Sequence, residues 1–248
     1  MIVNSTPAGW QVIYQQAHAL LAAQLAWLWP PTLPPDRWVG LLAAAAQHDD
    51  EQEEWHGRGG HHGLTSAGAP ANFTQKEFSM VQARGVLAAA RFQGQWRTLL
   101  TSMHLNCLYE SLRGTTPAVT AFLDELRASQ QQLRRALKVK KEEAQSAYDL
   151  LHWADRLSLI LCRGELPEMG RSLEISHGPD GCRYDVRQPT PGGPVHVEPW
   201  PFALAEIEVT VEASILTQLQ FGDDDELAAA LRVAPVETLR WTLCRAKE

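Results

Sequence analysis

Cysteine is scarce in this chain of 248 residues, and the few cysteines it has are far apart. None is close enough to another to form a Cys-x-x-Cys pair, so neither a zinc knuckle nor a dense disulfide framework is expected. The pattern favours a reducing compartment, and we expect a cytoplasmic protein. The four cysteines are Cys107, Cys162, Cys182 and Cys244.

Long apolar runs and basic stripes are missing as well. No stretch reaches the ~18 apolar residues of a membrane span, and residues 1–5 lack the basic and apolar segments of a signal peptide. The net charge is −7, and the densest cationic cluster, Lys138-Val139-Lys140-Lys141, is followed directly by Glu142-Glu143. This mixture is typical of a solvated helix face. We therefore expect neither a membrane nor a nucleic-acid partner.

The chain instead contains a long helical part followed by a segment of alternating apolar and polar residues. The last helical stretch is expected to break near residues 138–142 and to stop at Gly164. Beyond it, alternation and Gly/Pro turns predict antiparallel strands. The sequence thus predicts a mainly α fold, with a helical domain over residues 1–165 and a small β-rich C-terminal subdomain over residues 166–248 packed on it. The predicted helices cover residues 15–29, 36–54, 74–93, 96–112 and 117–163.

Histidine and aspartate recur in the predicted helices in a suggestive order. His18, the dipeptide His48-Asp49, His104 and Asp155 each fall in a different helical segment. An adjacent His and Asp can both bind one divalent metal if other helices supply further ligands. Imidazole and carboxylate together suit Fe, Mn, Zn, Co or Ni. A carboxylate at Asp155, among apolar residues, is costly to bury unless it is paired or bound to a metal.

Each of these residues also has a purely structural interpretation. His18 is compatible with a surface position or with a satisfied hydrogen bond, and His104 with a core histidine bonded to a backbone carbonyl. Asp155 has Arg156 and Arg163 nearby in sequence as ion-pair partners. The joint order of all five residues favours the metal site.

The order His18, His48-Asp49, Asp155 resembles the HD superfamily of metal-dependent phosphohydrolases. The chain is more closely similar to a bacterial protein family known as a domain of unknown function, a likeness that spans nearly the whole chain. Where that family has a Gly-Trp pair after its acidic run, this chain has Glu51-Gln52. The motifs of the likeness are Trp10-x-Val12-Ile13-x-Gln15-x-x-His18-Ala19, His48-Asp49-Asp50, Asp155-x-Leu157-Ser158-Leu159-x-Leu161-Cys162 and Pro199-Trp200-Pro201-Phe202.

The resemblance implies an HD-like helical bundle in which His18, His48, Asp49 and Asp155 are the primary ligands. His104 then binds a second ion or a substrate oxyanion. Two further groups are candidates for the reaction. Glu51 or Glu53 is placed to act as general base, with an exposed helix end as the plainer alternative. Arg156 is placed to clamp a phosphate, with an ordinary ion pair as its alternative. Ser158 we interpret as a packing residue.

Three functional hypotheses follow. The first is a metal-dependent hydrolase acting on a small phosphoester or nucleotide through a metal-activated water. The second is a dinuclear iron oxygenase. It needs His104 and one more histidine, His61 or His62, from the glycine-rich loop predicted over residues 56–72. The third is a non-catalytic metal-bearing scaffold whose β-rich part binds a partner or forms a homodimer.

Overall fold

The seven-stranded sheet begins at the N-terminus of the chain. The computed structural model describes residues 1–50, 63–75, 78–167 and 169–245. The α-helices in these ranges are α1 (Gln15–Trp27), α2 (Pro35–Ala46), α3 (Met80–Gln93), α4 (Gln95–Tyr109), α5 (Pro117–Leu137), α6 (Lys141–Cys162) and α7 (Asp224–Val233). The strands are β1 (Ile2–Thr6), β2 (Gly9–Ile13), β3 (Leu173–His177), β4 (Arg183–Arg187), β5 (Val195–Glu198), β6 (Glu206–Leu216) and β7 (Val236–Arg245).

The expectation of a mainly α fold with a small antiparallel C-terminal appendage is wrong. The strand order is β1-β2-β6-β7-β5-β4-β3, so the N-terminal hairpin pairs with β6 in the same sheet. The pair β5–β7 is parallel, which makes the sheet mixed. Gly9 allows this pairing: it has φ +129°, and a Cβ there would lie 2.1 Å from the carbonyl oxygen of Leu216. The hairpin finds its partner strand at the far end of the sequence, and local patterns carry little information about such a pairing.

The sheet has a core on each face. Paired Ile2 and Ile13 of the hairpin face the main core, which is filled by α1, α2, α4 and α6. Neighbouring Val12 points the other way, because side chains alternate along a strand, and packs with Leu227 of α7. The main core is richest around α6, where Trp153 is fully buried. This central helix also carries Asp155.

Several helix ends agree with the sequence. Thr116 caps α5 by accepting a hydrogen bond from the Val119 N–H. Lys138, in the left-handed conformation, separates α5 from α6. Gly164 (φ +63°) ends α6 as predicted, since the N–H groups of Gly164 and Glu165 bond back into its last turn.

Two predicted helix boundaries are wrong. The second helix ends at Ala46 instead of near residue 54, which leaves the His-Asp pair in the turn that follows. The third helix begins at Met80 and not at the capping box starting at Thr74, because the Ser79 hydroxyl caps it by accepting from the Gln82 N–H. Thr74 lies in a 3₁₀ turn, Phe73–Gln75. Among the described residues, no helix is both long and apolar enough to cross a membrane.

Candidate metal centre

Four separate segments bring the predicted ligands together. His18 lies on α1, His104 on α4 and Asp155 on α6, while His48 and Asp49 occupy the turn after α2. These helices pack on one another in the main core, with α1 against both α2 and α6, and α4 also against both. Four of the five are buried, and Asp49 is half-buried.

Asp49 lies at the centre of one group of side chains. Its Oδ2 atom is 2.6 Å from Nε2 of His18 and 3.4 Å from Nε2 of His48. Gln15 Nε2 donates a hydrogen bond to the same oxygen over 3.2 Å. One carboxylate oxygen therefore faces two imidazole nitrogens and an amide.

Asp155 and His104 form a second group around the other side of His48. Asp155 Oδ1 lies 3.1 Å from His48 Nε2 and 4.0 Å from His18 Nδ1. The His104 ring packs edge-on against the His48 ring, with centroids 5.0 Å apart. His104 is 2% exposed, yet neither of its ring nitrogens has a hydrogen-bond partner among the described residues. His48 is thus shared by both groups.

Backbone and hydroxyl contacts orient two of the imidazoles. Nδ1 of His48 lies 2.7 Å from the carbonyl oxygen of Ala45, which can only accept, so we infer that Nδ1 carries the proton. The Ser158 hydroxyl donates to the backbone carbonyl of Asp155 over 2.8 Å and lies 3.1 Å from Nδ1 of His18, from which it can then accept. Both imidazoles consequently turn Nε2 towards Asp49. Partners of this kind orient histidine ligands in metal sites.

The donor set fits a divalent transition metal. Two ligand atoms each about 2.0–2.1 Å from one ion lie roughly 3 Å apart when they occupy adjacent coordination positions, and the separations around His48 Nε2 are 3.1 and 3.4 Å. The ligand atoms fall into two overlapping triplets, His18–His48–Asp49 and His48–His104–Asp155, each within 4.8 Å. Because Nδ1 of both His48 and His18 faces a backbone or hydroxyl oxygen, it is Nε2 of each ring that faces the carboxylates and would bind an ion.

The electrostatics of the cluster also favour a positive charge at His48. Burial alone lowers the pKa of His48, but the charges of Asp49 and Asp155 outweigh it and raise that pKa to about 10. Burial raises the pKa of Asp155, yet the charge of His48 brings it below its usual range. His104 behaves in the opposite way, since burial, followed by the charge of His48, lowers its pKa to about 4.

A cleft of about 440 Å³ reaches the cluster from the surface. Its lining includes four candidate ligands, and among the described residues no lysine or arginine lines it. The rings of Phe78 and Tyr109, with centroids 4.4 Å apart, form part of its wall. The lining residues are Gln15, His48, Asp49, Phe73, Thr74, Phe78, Ser79, Gln82, His104, Leu108, Tyr109, Ser111, Leu112, Asp155 and Leu159.

Comparison with known proteins places the chain in a family. A family model described as "Protein of unknown function (DUF3891)" matches residues 1–218. The chain belongs to the DUF3891 family. The match covers all five candidate ligands and six of the seven strands, and ends before α7. Neither a search of curated proteins nor a search of solved structures returned a match.

The purely structural alternatives for the ligands in this DUF3891 chain differ in how well they describe what is observed. His18 is 1% exposed and so is not on the surface, but Ser158 and Asp49 lie within hydrogen-bond distance of its two ring nitrogens, as the alternative of a satisfied histidine requires. Among the described residues, His104 makes no hydrogen bond to a backbone carbonyl. Asp155 faces histidines, while Arg163 pairs with Glu165 at 2.8 Å. All five ligands predicted from the sequence therefore meet in one place.

In the described part of the chain, the other predicted site residues do not lie with the five candidate ligands. Arg156 is half-buried and is absent from the cleft lining. Since it follows Asp155 directly on α6, it lies about 100° further round the helix. The proposed bases Glu51 and Glu53, together with His61 and His62, lie outside the described residues.

Two residues of the cluster were missed as contributors. Ser158, interpreted as packing, contacts His18 as described above. Gln15 was quoted only as part of a motif and contacts Asp49. Helical spacing carries the signal for both, because Gln15 is three residues before His18 and Ser158 three residues after Asp155. Residues three apart on a helix share a face.

Proposed function

We propose that this member of the DUF3891 family is a metal-dependent hydrolase of small phosphoesters. The observation that carries the proposal is the convergence of His18, His48, Asp49, His104 and Asp155 beside an open cleft. Two carboxylates and three imidazoles, largely buried, make a donor set for a transition metal rather than for magnesium. The order of His18, His48-Asp49 and Asp155 along the chain also resembles that of the HD superfamily.

His18, His48, Asp49 and Asp155 would hold the ion. A divalent metal bound there supplies Lewis acidity and lowers the pKa of a coordinated water towards neutrality. The reaction is attack of a water oxygen on phosphorus, which breaks the ester P–O bond and releases an alcohol and a phosphate. The chain's own residues position these groups and transfer the protons.

His104 is suited to bind the phosphoryl group. Its low pKa keeps it neutral near pH 7, so one ring nitrogen carries a proton that it can donate. No group in the described part of the chain bonds to either ring nitrogen, and the residue lines the cleft. A donor held in a buried site stabilises negative charge that develops on an oxygen. Glu51 or Glu53 remains our candidate for the general base.

The residues of the cleft wall indicate which leaving group the site would accept beyond the phosphoryl group. Beyond the ligands, the described lining is largely apolar and aromatic, with Phe73, Phe78 and Tyr109 among its residues. Such a surface suits a planar or apolar leaving group, as in a nucleotide. The accessible cleft supports a catalytic role over a closed, non-catalytic scaffold.

The test is metal content together with hydrolysis, in protein purified without chelator. We expect about one transition metal per chain, and Mn-, Co- or Ni-dependent turnover of a chromogenic phosphodiester or a nucleotide panel. Asp155→Asn keeps the shape of the side chain but removes a charged ligand, and should lose the metal and reduce turnover more than about 100-fold, beyond the usual effect of an outer-shell change.

A matched control is available on the same helix. Asp149 accepts a hydrogen bond from Gln145 and lies outside the cluster, so Asp149→Asn should retain metal and turnover. Wild-type protein that binds no metal, or an Asp155→Asn variant with full turnover, would contradict the proposal.

A dinuclear iron oxygenase is a second candidate. The observation that favours it is that the two ligand triplets together bring five candidate ligand residues into one place, more than a single ion requires. It predicts about two irons per chain and an absorbance change on exposure to oxygen. His104→Ala would then halve the iron content, whereas in the hydrolase it would leave one metal bound.

A further inference from the structure

Gln15 occupies an unusual position beside the metal centre. It is the first residue of α1, one helical turn before His18, and its side chain is directed into the protein. It is 3% exposed and yet lines the cleft, so its amide meets both the cluster and the space open to a substrate. None of the roles assigned above uses it.

The contact with Asp49 fixes the orientation of the amide. Gln15 Nε2 donates a hydrogen bond to Asp49 Oδ2 over 3.2 Å, and the same oxygen faces the Nε2 atoms of His18 and His48. The amide nitrogen of Gln15 therefore faces Asp49, and the amide oxygen faces away from it.

The amide oxygen has no donor within the part of the chain that the structure describes. Gln15 Oε1 is buried, and no group of residues 1–50, 63–75, 78–167 or 169–245 donates a hydrogen bond to it. A buried acceptor of this kind is rare in folded proteins, because it has given up its hydrogen bond to water. Gln16 Oε1 is a second such atom, but Gln16 does not line the cleft. Gln15 does line it, so a ligand or a water in the cleft can supply the missing donor to Gln15 Oε1.

We propose that Gln15 is a positioning residue of the hydrolase, with a separate role for each end of its amide. The N–H donates to Asp49 and holds that carboxylate towards His18 and His48. The carbonyl oxygen accepts a hydrogen bond from the attacking water, so that one lone pair of the water points towards the substrate phosphorus. This inference rests on the proposed function.

The chemistry of the amide suits both tasks. A carboxylate in its place would repel Asp49, and an apolar side chain would leave both Asp49 Oδ2 and the water with fewer partners. Gln15 does not take the proton of the water, because an amide oxygen is too weak a base. The proton passes to the general base, and no bond to Gln15 forms or breaks.

The test compares Gln15→Met with Gln16→Met. Methionine has nearly the volume of glutamine but cannot make these hydrogen bonds. Gln16 is the neighbouring glutamine on α1, is half-buried, and does not line the cleft. Three measurements are made on each protein: Co²⁺ affinity by titration, the absorption spectrum of the Co²⁺ form, and kcat and KM at saturating metal.

For Gln15→Met we expect a loss of Co²⁺ affinity of about tenfold or more, as for other partners that orient a ligand. The Co²⁺ spectrum should change, and kcat should fall at least about tenfold at saturating metal with KM nearly constant, because the water is misoriented while the substrate still binds. Gln16→Met should match the wild type in all three. If Gln15→Met does not fold, Gln15→Asn keeps an amide but shortens the side chain by one methylene group, so that it no longer reaches Asp49, and it should likewise lower Co²⁺ affinity and kcat.

The outcomes separate this inference from the proposed function. Wild-type metal affinity, spectrum and kcat in Gln15→Met would overturn the role of Gln15 while leaving the hydrolase intact. Wild-type protein without Co²⁺ binding or turnover would overturn the proposed function, and the role of Gln15 with it. A rise in KM alone would also contradict the inference, since it would place Gln15 in substrate binding.

Discussion

The hydroxyl oxygen of Ser158 lies 3.1 Å from Nδ1 of His18, joining α6 to α1 at the back of the candidate metal centre. The same hydroxyl donates to the carbonyl of Asp155, one turn earlier on α6. It thereby fixes the proton of His18 on Nδ1 and leaves Nε2 directed at Asp49. A fully buried serine thus sets the orientation of one candidate ligand through its contact with the backbone of another.

We expect Ser158→Ala to weaken metal binding about 10- to 100-fold, because His18 loses the partner that orients it. The measurement is a competition titration against a chromophoric chelator. Ser146→Ala is the matched control, since Ser146 also lies on α6 and donates to a backbone carbonyl, that of Pro179, away from the cluster. Equal metal affinity in both variants would show that the Ser158 contact does not orient a ligand.

Metal binding should release protons in a way that reports on His48. Asp49 and Asp155 raise the pKa of His48 to about 10 against the effect of burial, so the metal-free protein holds a proton there at neutral pH. A ligand must be deprotonated, so this proton leaves when the ion enters. Below about pH 10 the apparent affinity should therefore rise roughly tenfold per pH unit.

Calorimetry in two buffers with different ionisation enthalpies measures this release, and near neutral pH we expect about one proton per metal from His48. An affinity that is constant with pH, with no dependence on the buffer, would mean that His48 is not a ligand.

The five candidate ligands could be picked out from the sequence because local signals mark them. A polar residue such as Asp155 or His104 stands out in an apolar helix. Each helix can be recognised from the spacing of apolar residues within its own segment. Their convergence follows from burying these helices in one core. The sheet could not be predicted in the same way, because the pairing of Val12 with Ser214 joins opposite ends of the chain.

Helix ends show the same limit on a smaller scale. The helix ends at Gly164 and Thr116 were predicted correctly, because each depends on hydrogen bonds to backbone groups of the adjacent helical turn. The start of α3 was not, because Thr74 and Ser79 are both acceptable caps and the sequence alone does not choose between them. The contact between Gln15 and Asp49 was also beyond reach, as it depends on how a turn after α2 meets the first residue of α1.

The break between α5 and α6 gives a prediction about stability. Lys138 has φ 53°, a left-handed conformation that costs a residue with a Cβ about 1–2 kcal/mol, and it is exposed at the surface. Lys138→Gly should therefore raise the free energy of unfolding by about 1 kcal/mol, partly offset by the greater freedom of glycine in the unfolded chain. Urea unfolding measures it. Lys141→Gly, at the first position of α6, should have the opposite sign, and a loss of stability in both variants would contradict the argument.

The last prediction concerns the stability of the metal-free protein in mild acid. Burial lowers the pKa of His104 from 6.5 to about 4, with the charge of His48 acting in the same direction. Above pH 6.5 the histidine is neutral in both the folded and the unfolded chain and has no effect on the pH dependence. Between about pH 6.5 and 4 the unfolded chain binds a proton that the folded chain does not, so stability falls as the pH falls. Removing the imidazole with His104→Leu should flatten the decline in this window, as measured by urea unfolding in the presence of a chelator.

His177→Leu, on the exposed end of β3, should keep the wild-type slope, because that side chain is not buried. A His104→Leu protein that declines as steeply as the wild type would show that His104 is charged in the folded state, which would remove the neutral donor assigned to it in the reaction.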